Sequence, residues 1–158
     1  MTATICIGWD IGGAHLKMAR LAADGSIVAA AQYATPLWQG LQSLEQQFAR
    51  FSRTGDVRDA RHAVTMTGEL VDLFPDRKTG VSALLKTFVR YFPEEHTTIF
   101  AGRDGFLPVG SAHAAPESVA SANWMATALC AAAQVEQAIL VDVGSTTTPQ
   151  PRSDAQAA

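Results

Sequence analysis

Hydrophobic runs near the start of the chain predict three consecutive β-strands. Residues 4–7 form an apolar run with β-branched side chains at three of four positions, which is typical of a fully buried strand. Further strands are predicted at about residues 14–21 and 26–33, with the dipeptide Asp24-Gly25 between them. Because Asp-Gly between two apolar segments is a strong hairpin signal, this pattern predicts an antiparallel meander.

After Pro36 the hydrophobic residues recur with the period of a helix. Steps of four, three, four and three place them on one helical face. These residues are Leu37, Leu41, Leu44, Phe48 and Phe51. Gly55 and Asp56 are expected to end this helix, and residues 58–61 to form a solvated loop. A second amphipathic helix is predicted to stop at Pro93. Its apolar positions are Val81, Leu84, Leu85, Phe88 and Phe92.

Three more strands and a third helix complete the predicted pattern. The strands are expected at residues 63–67, 97–101 and 138–141, and the helix at residues 116–133, with proline in its first turn. The residues of this helix that are expected to face the core are Val119, Trp124, Ala128 and Cys130. Hairpin-linked strands followed by alternating strands and helices predict an α/β domain, in which an antiparallel three-strand meander joins parallel strands with flanking helices.

Composition and charge narrow the class of protein. The chain has 158 residues, of which 47% are hydrophobic and 17% charged, so it can bury the core of one globular domain. A net charge of −3 gives no support for a nucleic-acid partner. No export signal or membrane-length apolar run is evident, and the two cysteines do not indicate a disulfide framework, so we expect a cytoplasmic protein without a membrane partner.

Residues 8–17 contain a candidate phosphate-binding loop. Asp10 is expected where the first strand ends, and Gly12 and Gly13 then lack the Cβ atoms that would keep a phosphate from the backbone. Positive φ angles at these glycines would let successive N–H groups converge on an anion. His15 could donate to an anionic oxygen and Lys17 adds a positive charge, although both could instead be surface residues of the hairpin.

Residues 138–148 repeat this pattern near the other end of the chain. An apolar strand again ends on an aspartate, Asp142, and a glycine follows two residues later. The candidate phosphate ligands of this second loop are Gly144, Ser145, Thr146 and Thr147. Asp10 and Asp142 could cap turns, but a carboxylate beside phosphate-binding amides also suits a hydrated Mg²⁺, which takes few protein carboxylates. Together the two loops predict a clamp around phosphate groups and Mg²⁺.

Two further charged residues follow predicted strands. Glu69 could act as a general base that deprotonates an attacking amine or hydroxyl, or could simply favour a helix start. Arg103 could neutralise a diphosphate by bidentate contact, or be a loop charge. Because ligands of open α/β sheets collect outside the carboxyl ends of the strands, the predicted catalytic residues Asp10, Glu69 and Arg103 are expected at one edge of the sheet.

The two loops resemble the phosphate loops of the superfamily that contains acetate and sugar kinases, heat-shock proteins and actin. Within it, residues 8–17, 36–41, 65–74 and 121–124 resemble a hydantoinase/oxoprolinase-like branch. That branch is associated with tetrahydromethanopterin-linked one-carbon transfer in methylotrophs. It is also similar to an archaeal methanofuran-biosynthesis enzyme that makes a furan-methylamine intermediate. The resemblance implies an actin-like, ribonuclease-H-like ATPase domain.

The resemblance also implies a domain organisation. Residues 1–135 are expected to form the first actin-like domain, and residues 136–148 the opening strand and phosphate loop of a second domain that is missing. Residues 149–158 contain two prolines and no apolar periodicity, so they cannot form the strand that family members have there. We expect this tail to be disordered, as a frameshift or premature stop would produce.

Three hypotheses for function remain open at this stage. The resemblance implies a transferase that condenses an activated furan-methyl diphosphate with an acceptor, using Mg²⁺, in methanofuran-type cofactor biosynthesis. The same loops would equally suit an ATP-dependent kinase or a hydantoinase/oxoprolinase-type amide hydrolase, because diphosphate and ATP present similar groups. The third hypothesis is a non-catalytic truncated fragment. In each case the expected partner is a phosphorylated small molecule, and association into a homo-oligomer is allowed.

Overall fold

A six-stranded mixed sheet lies at the centre of the computed structural model, within the part of the chain that it describes, residues 4–137 and 139–141. The spatial order of the strands is β3-β2-β1-β4-β5-β6. The strands are β1 (Thr4–Ile11), β2 (His15–Ala22), β3 (Ile27–Ala34), β4 (Arg61–Met66), β5 (Thr97–Phe100) and β6 (Phe106–Pro108).

The pairing of the strands confirms the predicted fold class. β1, β2 and β3 form an antiparallel meander, whereas β1, β4 and β5 are parallel to one another. β6 is antiparallel to β5 and forms the opposite edge. A meander followed by parallel strands in this order is the arrangement of the actin-like, ribonuclease-H-like fold. In this arrangement the carboxyl ends of β1, β4 and β5 lie along one edge of the sheet.

Six α-helices connect or flank these strands in the described residues. They are α1 (Gln42–Ser52), α2 (Gly55–Arg58), α3 (Arg77–Val89), α4 (Val109–Ala114), α5 (Pro116–Val119) and α6 (Asn123–Ala132). Short 3₁₀ turns occur at Leu37–Gln39, Gly68–Leu70, Glu94–His96 and Gly102–Asp104. Both predicted amphipathic helices are thus present, but the first begins at Gln42, because Gly40 with φ +116° separates it from the turn that carries Leu37.

An aromatic cluster fills the interface between the sheet and helices α1 and α3. The Trp9 ring makes edge-on contacts with Phe48 on α1 and Phe88 on α3, with centroids 5.9 Å away in each case. Its indole N–H donates to His62 Nδ1 at 3.0 Å, and His62 Nε2 lies 3.3 Å from the Arg58 carbonyl. Trp9 therefore fixes the neutral tautomer of His62 that carries its proton on Nε2, and burial lowers the pKa of this imidazole.

The opposite face of the sheet is lined by small residues. Gly8 on β1 lies in register with Ala19 on β2 and with Ala63 on β4, and Ala19 lies in register with Ala30 on β3. Side chains alternate across a strand, so these residues share one face while Trp9 and Met18 face the helices. An open cleft of about 680 Å³ lies over this floor.

The predicted third helix is wrong as a single element. Residues 116–133 form α5 and α6, separated where Ser121 adopts a positive φ of 55°. Val119 is buried as predicted, but Trp124 and Cys130 are exposed rather than part of the core. The physical reason is a tertiary hydrogen bond: the break lets the Ser121 hydroxyl donate to Glu69 Oε1 at 2.9 Å.

Two other predictions of local structure are corrected. Ile139, Leu140 and Val141 are exposed and form no strand, and Ala138 lies outside the described residues. A strand needs a hydrogen-bonded neighbour, and the sheet that the structure describes ends at β3 and β6 without pairing with this segment. Residues 58–61 are a solvated loop only in part: Arg58, Asp59 and Arg61 are exposed, but Ala60 is buried, and only Asp59 and Ala60 lie between α2 and β4.

Candidate functional site

A row of polar side chains crosses the small-residue face of the sheet near the carboxyl ends of the parallel strands. Asp10 on β1 lies in register with Lys17 on β2 and with Thr65 on β4. Lys17 in turn lies in register with Gln32 on β3. β1 extends one residue beyond Asp10, to Ile11. The Asp10 carboxylate therefore projects from the strand itself and not from the loop that follows it.

Only one of the two carboxylate oxygens of Asp10 has a hydrogen-bond partner among the described residues. Lys17 Nζ donates to Asp10 Oδ2 at 3.1 Å, with the lysine side chain half-exposed and the aspartate mostly buried. Asp10 Oδ1 is buried and has no hydrogen-bond partner among the described residues, and the same is true of Thr65 Oγ1. Buried polar groups are normally hydrogen-bonded, so two such oxygens in register on adjacent strands indicate a place where a ligand donor or a hydrated cation could bind.

The Gly12-Gly13 turn joins β1 to β2, but it does not have the conformation that the sequence suggested. Neither glycine has a positive φ, and the Gly12 N–H donates to the His15 carbonyl at 3.0 Å. Glycine is required here for space instead. A Cβ on Gly12 would lie 2.9 Å from the His15 oxygen, and one on Gly13 would lie 2.8 Å from Val71 Cγ1. The turn is therefore closely packed, and its Gly12 amide is already engaged.

The segment that follows β4 packs against this turn. The Thr67 N–H donates to the Ile11 carbonyl at 3.0 Å, and Val71 contacts the position of Gly13. The structure thus brings the 3₁₀ turn Gly68–Leu70, which carries Glu69, beside the end of β1. Glu69 and the Gly12-Gly13 turn belong to the same edge of the sheet, as the strand order requires.

Glu69 is almost completely buried, with 2% of its surface exposed. Its Oε1 accepts the hydrogen bond from Ser121, and its Oε2 is buried with no partner among the described residues. Gly80 on α3 lies directly against it, because a Cβ there would come within 2.8 Å of Glu69 Cβ. Glu69 is therefore fixed by packing, and one carboxylate oxygen keeps its capacity to accept a proton or a hydrogen bond.

Arg103 lies farther along the same edge. It is in the 3₁₀ turn that follows β5, where Gly102 has a positive φ of 55° and Arg103 itself is exposed. β5 is two strands from β1, and adjacent strands are about 4.8 Å apart, so this turn starts about 10 Å from the end of β1. Arg103 forms no ion pair with another described residue. A ligand that spans from Lys17 to Arg103 would have to be extended.

The second predicted loop lies outside the described residues. This applies to Asp142, Gly144, Ser145, Thr146 and Thr147. Their predicted roles in holding phosphate and Mg²⁺ therefore stay predictions. His15 opens β2 in register with Ala34 and is half-buried, beside the turn in which its own carbonyl accepts from Gly12.

Sequence reasoning did not single out several residues of this region. Thr65 has a buried hydroxyl beside Asp10 that lacks a hydrogen-bond partner among the described residues, and Ser121 donates a hydrogen bond to Glu69. Phe100 and Phe106 form a wall of the cleft, with ring centroids 5.3 Å apart. For Thr65 the alternation of β4 offered a signal, because a single hydroxyl residue lies between the buried Val64 and Met66. Ser121 opens the stretch 121–124 that resembles the family, but no local pattern indicates its hydrogen bond to Glu69, which lies 52 residues away.

The side-chain oxygens near Asp10 can be compared with the ligands that the expected Mg²⁺ ion would need. In the residues that the structure describes, no group of three or more acidic, histidine or cysteine side chains could hold a metal ion. Mg²⁺ usually keeps several waters and takes one or two carboxylates, so the orphan oxygens of Asp10 and Thr65 fit one side of a hydrated ion. Within the same residues, no helix is long and apolar enough to span a membrane.

Comparison with known proteins gives three similarities. The model of the hydantoinase/oxoprolinase family matches residues 61–150. A curated protein of Methanocaldococcus jannaschii, (4-{4-[2-(gamma-L-glutamylamino)ethyl]phenoxymethyl}furan-2-yl)methanamine synthase, is 30% identical over 143 residues. That match covers 90% of this chain but 41% of the relative, so the chain spans about two fifths of the relative's length.

A solved structure shows a weaker likeness. It is that of a Sinorhizobium meliloti protein assigned as a 2-dehydro-3-deoxygalactonokinase, with 10% identity and a TM-score of 0.31. The match covers 40% of this chain and 21% of that protein.

Proposed function

Because the chain belongs to the hydantoinase/oxoprolinase family, we propose that it supplies one side of a diphosphate-binding site in a transferase of furan-type cofactor biosynthesis. The observation that carries this proposal is the Asp10–Lys17 pair, with the orphan oxygens of Asp10 and Thr65 beside it. The relative from Methanocaldococcus jannaschii supports the furan part, since its name describes a furan-methylamine product with a phenoxymethyl link.

In the proposed reaction the oxygen of an acceptor hydroxyl attacks the methylene carbon of a furan-methyl diphosphate. The new C–O bond forms while the bond from carbon to the diphosphate oxygen breaks, and diphosphate leaves with the electron pair. The proton of the acceptor goes to a base, for which Glu69 Oε2 is the candidate because it is buried without a partner among the described residues. No redox partner is needed.

The remaining residues would neutralise the charge of the diphosphate and position the reacting groups. Lys17, whose side chain is half-exposed, would neutralise part of the diphosphate, and Arg103 would contact a more distant part of the extended substrate. Asp10 would orient a hydrated Mg²⁺ together with Thr65, and this ion supplies neutralisation of the negative charge that develops on the leaving group. His15 and the Gly12-Gly13 turn would form the wall nearest to the diphosphate. Most of the rate enhancement would come from such positioning and electrostatics.

Binding of inorganic diphosphate tests this proposal on the chain as it exists. Isothermal titration calorimetry with Mg²⁺ present is expected to give saturable binding that weakens about tenfold or more in Asp10→Asn. Hydrogen bonds to charged groups contribute about 1.5–3 kcal/mol, and 1.4 kcal/mol corresponds to a factor of ten. The matched control is Glu95→Gln, an exposed carboxylate before the amino end of β5. Equal binding by Asp10→Asn and wild type would reject the site.

A second pair of variants tests Lys17 and separates diphosphate from ATP. Lys17→Gln is expected to weaken diphosphate binding, whereas Lys86→Gln, at an exposed position of α3, is not. ATP titrated in the same way should bind no more tightly than diphosphate, because the proposed contacts are to two phosphates. Much tighter binding of ATP would favour a kinase or ATP-dependent hydrolase. An absence of binding by both would favour a non-catalytic fragment.

A further inference from the structure

The open cleft over the small-residue face has the size and composition of a small-molecule site. Its volume is about 680 Å³, and such sites are typically about 300–1,000 Å³. Asp10, Lys17 and Thr65 line one side of it, whereas glycine, alanine and phenylalanine residues provide much of the remaining lining. Ligand sites commonly combine apolar walls with a few polar groups that fix the orientation of the ligand. The polar side belongs to the proposed diphosphate site, and the apolar part offers a second subsite next to it.

The strand register places an apolar row beside the polar row that contains Asp10. Gly8, two residues before Asp10 on β1, pairs with Ala19 on β2 and with Ala63 on β4. Ala30 on β3 extends this apolar row, because it pairs with Ala19. Residues two apart on a strand share a face and are separated by about 7 Å along it. An apolar group attached to a diphosphate on the polar row would therefore lie over Gly8 and its neighbours.

The floor of this part of the cleft is uncovered by the described residues. A Cβ added to Gly8 would have no described atom within 4 Å. Gly8, Ala19 and Ala63 are each partly exposed, and Ala30 is exposed. On the other face of the sheet, by contrast, Trp9 is only 2% exposed. Side chains as small as these leave room for a flat group to lie close to the sheet.

Two phenylalanine rings form a wall beside this floor. Phe100 on β5 and Phe106 on β6 both line the cleft, with their ring planes inclined at 61°. Phe100 is buried, but Phe106 is 57% exposed, so its ring leaves apolar surface that a ligand could cover. Aromatic rings attract one another in edge-to-face and offset arrangements, beyond the effect of area burial. The wall therefore suits an aromatic group.

We propose that the cleft binds a flat aromatic ring that is joined through one methylene group to the diphosphate. The ring would lie over Gly8 and Ala19 and against Phe106, with the diphosphate on the polar row. One methylene carbon and one oxygen separate the ring from the nearest phosphorus in such a compound, which suits two rows about 7 Å apart. This inference rests on the proposed function, which supplies the diphosphate end. It adds the residues that determine which organic group is accepted.

Two probes with the same charged group test the ring subsite. Isothermal titration calorimetry with Mg²⁺ compares methyl diphosphate with benzyl diphosphate, which carries an aromatic ring on its methylene group. Benzyl diphosphate is expected to bind about tenfold more tightly, a difference of about 1.4 kcal/mol, because its ring is removed from water. Equal affinity for the two probes would overturn the ring subsite but leave the diphosphate site intact. An absence of binding by both, and by inorganic diphosphate, would reject the proposed function together with this inference.

Filling the floor of the cleft should abolish the gain from the ring. Gly8→Val places a branched side chain in open space, so benzyl diphosphate should lose its advantage, whereas methyl diphosphate should bind as it does to wild type. The control Gly110→Val, at a glycine with equally open space outside the cleft, should keep the preference for benzyl diphosphate. Phe106→Leu, which removes an exposed ring but keeps an apolar side chain, should lower the preference about threefold. If circular dichroism shows that Gly8→Val is unfolded, Ala30→Val, at an exposed position of β3, gives the same comparison.

The position of the ring can also be observed directly. In protein with ¹³C-labelled alanine methyl groups, the ring protons of bound benzyl diphosphate should show nuclear Overhauser effects to Ala19, Ala30 and Ala63. Ala23 and Ala133 do not line the cleft and serve as controls. Contacts of the ring with alanines outside the cleft only would overturn the proposal, as would a preference for benzyl diphosphate that persists in a folded variant with a filled floor.

Discussion

Gly80 on α3 is the position where a single methyl group should disturb the candidate site most directly. The Cβ of an alanine there would lie 2.8 Å from Glu69 Cβ, 2.9 Å from its Cα and 2.9 Å from its carbonyl oxygen. Two of these atoms belong to the backbone, so the contact cannot be relieved by rotating a side chain. Either α3 or the turn that carries Glu69 must move.

The magnitude follows from comparing two helical glycines. Gly110 on α4 has no atom within 4 Å of an added Cβ, so Gly110→Ala should stabilise the fold by up to about 1 kcal/mol through helix propensity. Gly80→Ala gains a similar propensity term but adds overpacking, which typically costs about 1–3 kcal/mol. We therefore expect Gly80→Ala to be about 1–3 kcal/mol less stable than Gly110→Ala.

Urea denaturation of the two variants and wild type measures this difference. The midpoints give the stability order, and unchanged slopes confirm that the same surface is exposed on unfolding. A Gly80→Ala variant as stable as Gly110→Ala would show that α3 does not press on Glu69 and would refute the packing described here. Diphosphate titration of the same variant tests whether moving Glu69 also disturbs the neighbouring turn.

Two other predictions concern the aromatic core. The folded state holds the pKa of His62 below its ordinary value of 6.5, so below that pH the unfolded chain binds a proton that the native chain does not. Thermal stability should therefore fall as the pH is lowered through 6.5 toward the depressed pKa. Melting curves recorded at a series of pH values should show a weaker dependence of the melting temperature on pH for His62→Gln than for wild type. Equal dependence on pH in the two proteins would contradict a lowered pKa at His62. Phe88→Ala should cost about 3–5 kcal/mol in urea denaturation because it leaves a cavity, whereas Leu129→Ala, at a 56% exposed position, should change little.

The meander and the parallel strands could be predicted because their signals are local. Asp24-Gly25 marks the hairpin, and the Asp24 side chain accepts from the Ser26 N–H at 2.9 Å, as expected of a turn aspartate. The apolar period of Leu44 and Phe48 likewise survives in α1, where both are fully buried. Such features depend on residues that are close in sequence, so they can be predicted from the sequence alone.

The break between α5 and α6 was not predictable for the opposite reason. The alanine-rich residues 116–133 favour helix throughout, but the left-handed conformation of Ser121 is stabilised by its bond to Glu69, 52 residues away. The strand predicted at residues 138–141 failed similarly, because its apolar composition is suitable but no strand of the described sheet pairs with it.

The candidate site contains features that were predicted from the sequence and features that depend on tertiary structure. Asp10, Glu69 and the Gly12-Gly13 turn were predicted from their positions at strand ends, and Lys17 as a positive charge close to the first loop; the structure brings all of them to one edge. The role assigned to the glycines was different, because their small size serves packing against His15 and Val71 rather than a positive φ. Thr65 became a candidate only through the register of β4 with β1.

The location of diphosphate binding is the most direct test of the proposed site. Amide chemical shifts of ¹⁵N-labelled protein, titrated with inorganic diphosphate and Mg²⁺, should change most at the end of β1, at the start of β2 and in the turn Gly68–Leu70. The surface pocket lined by Arg77, Lys78 and Glu117 offers an internal comparison, because its two cations could bind an anion non-specifically and none of its residues belongs to the proposed site. Shifts confined to that pocket, with Asp10 and Lys17 unaffected, would contradict the central claim.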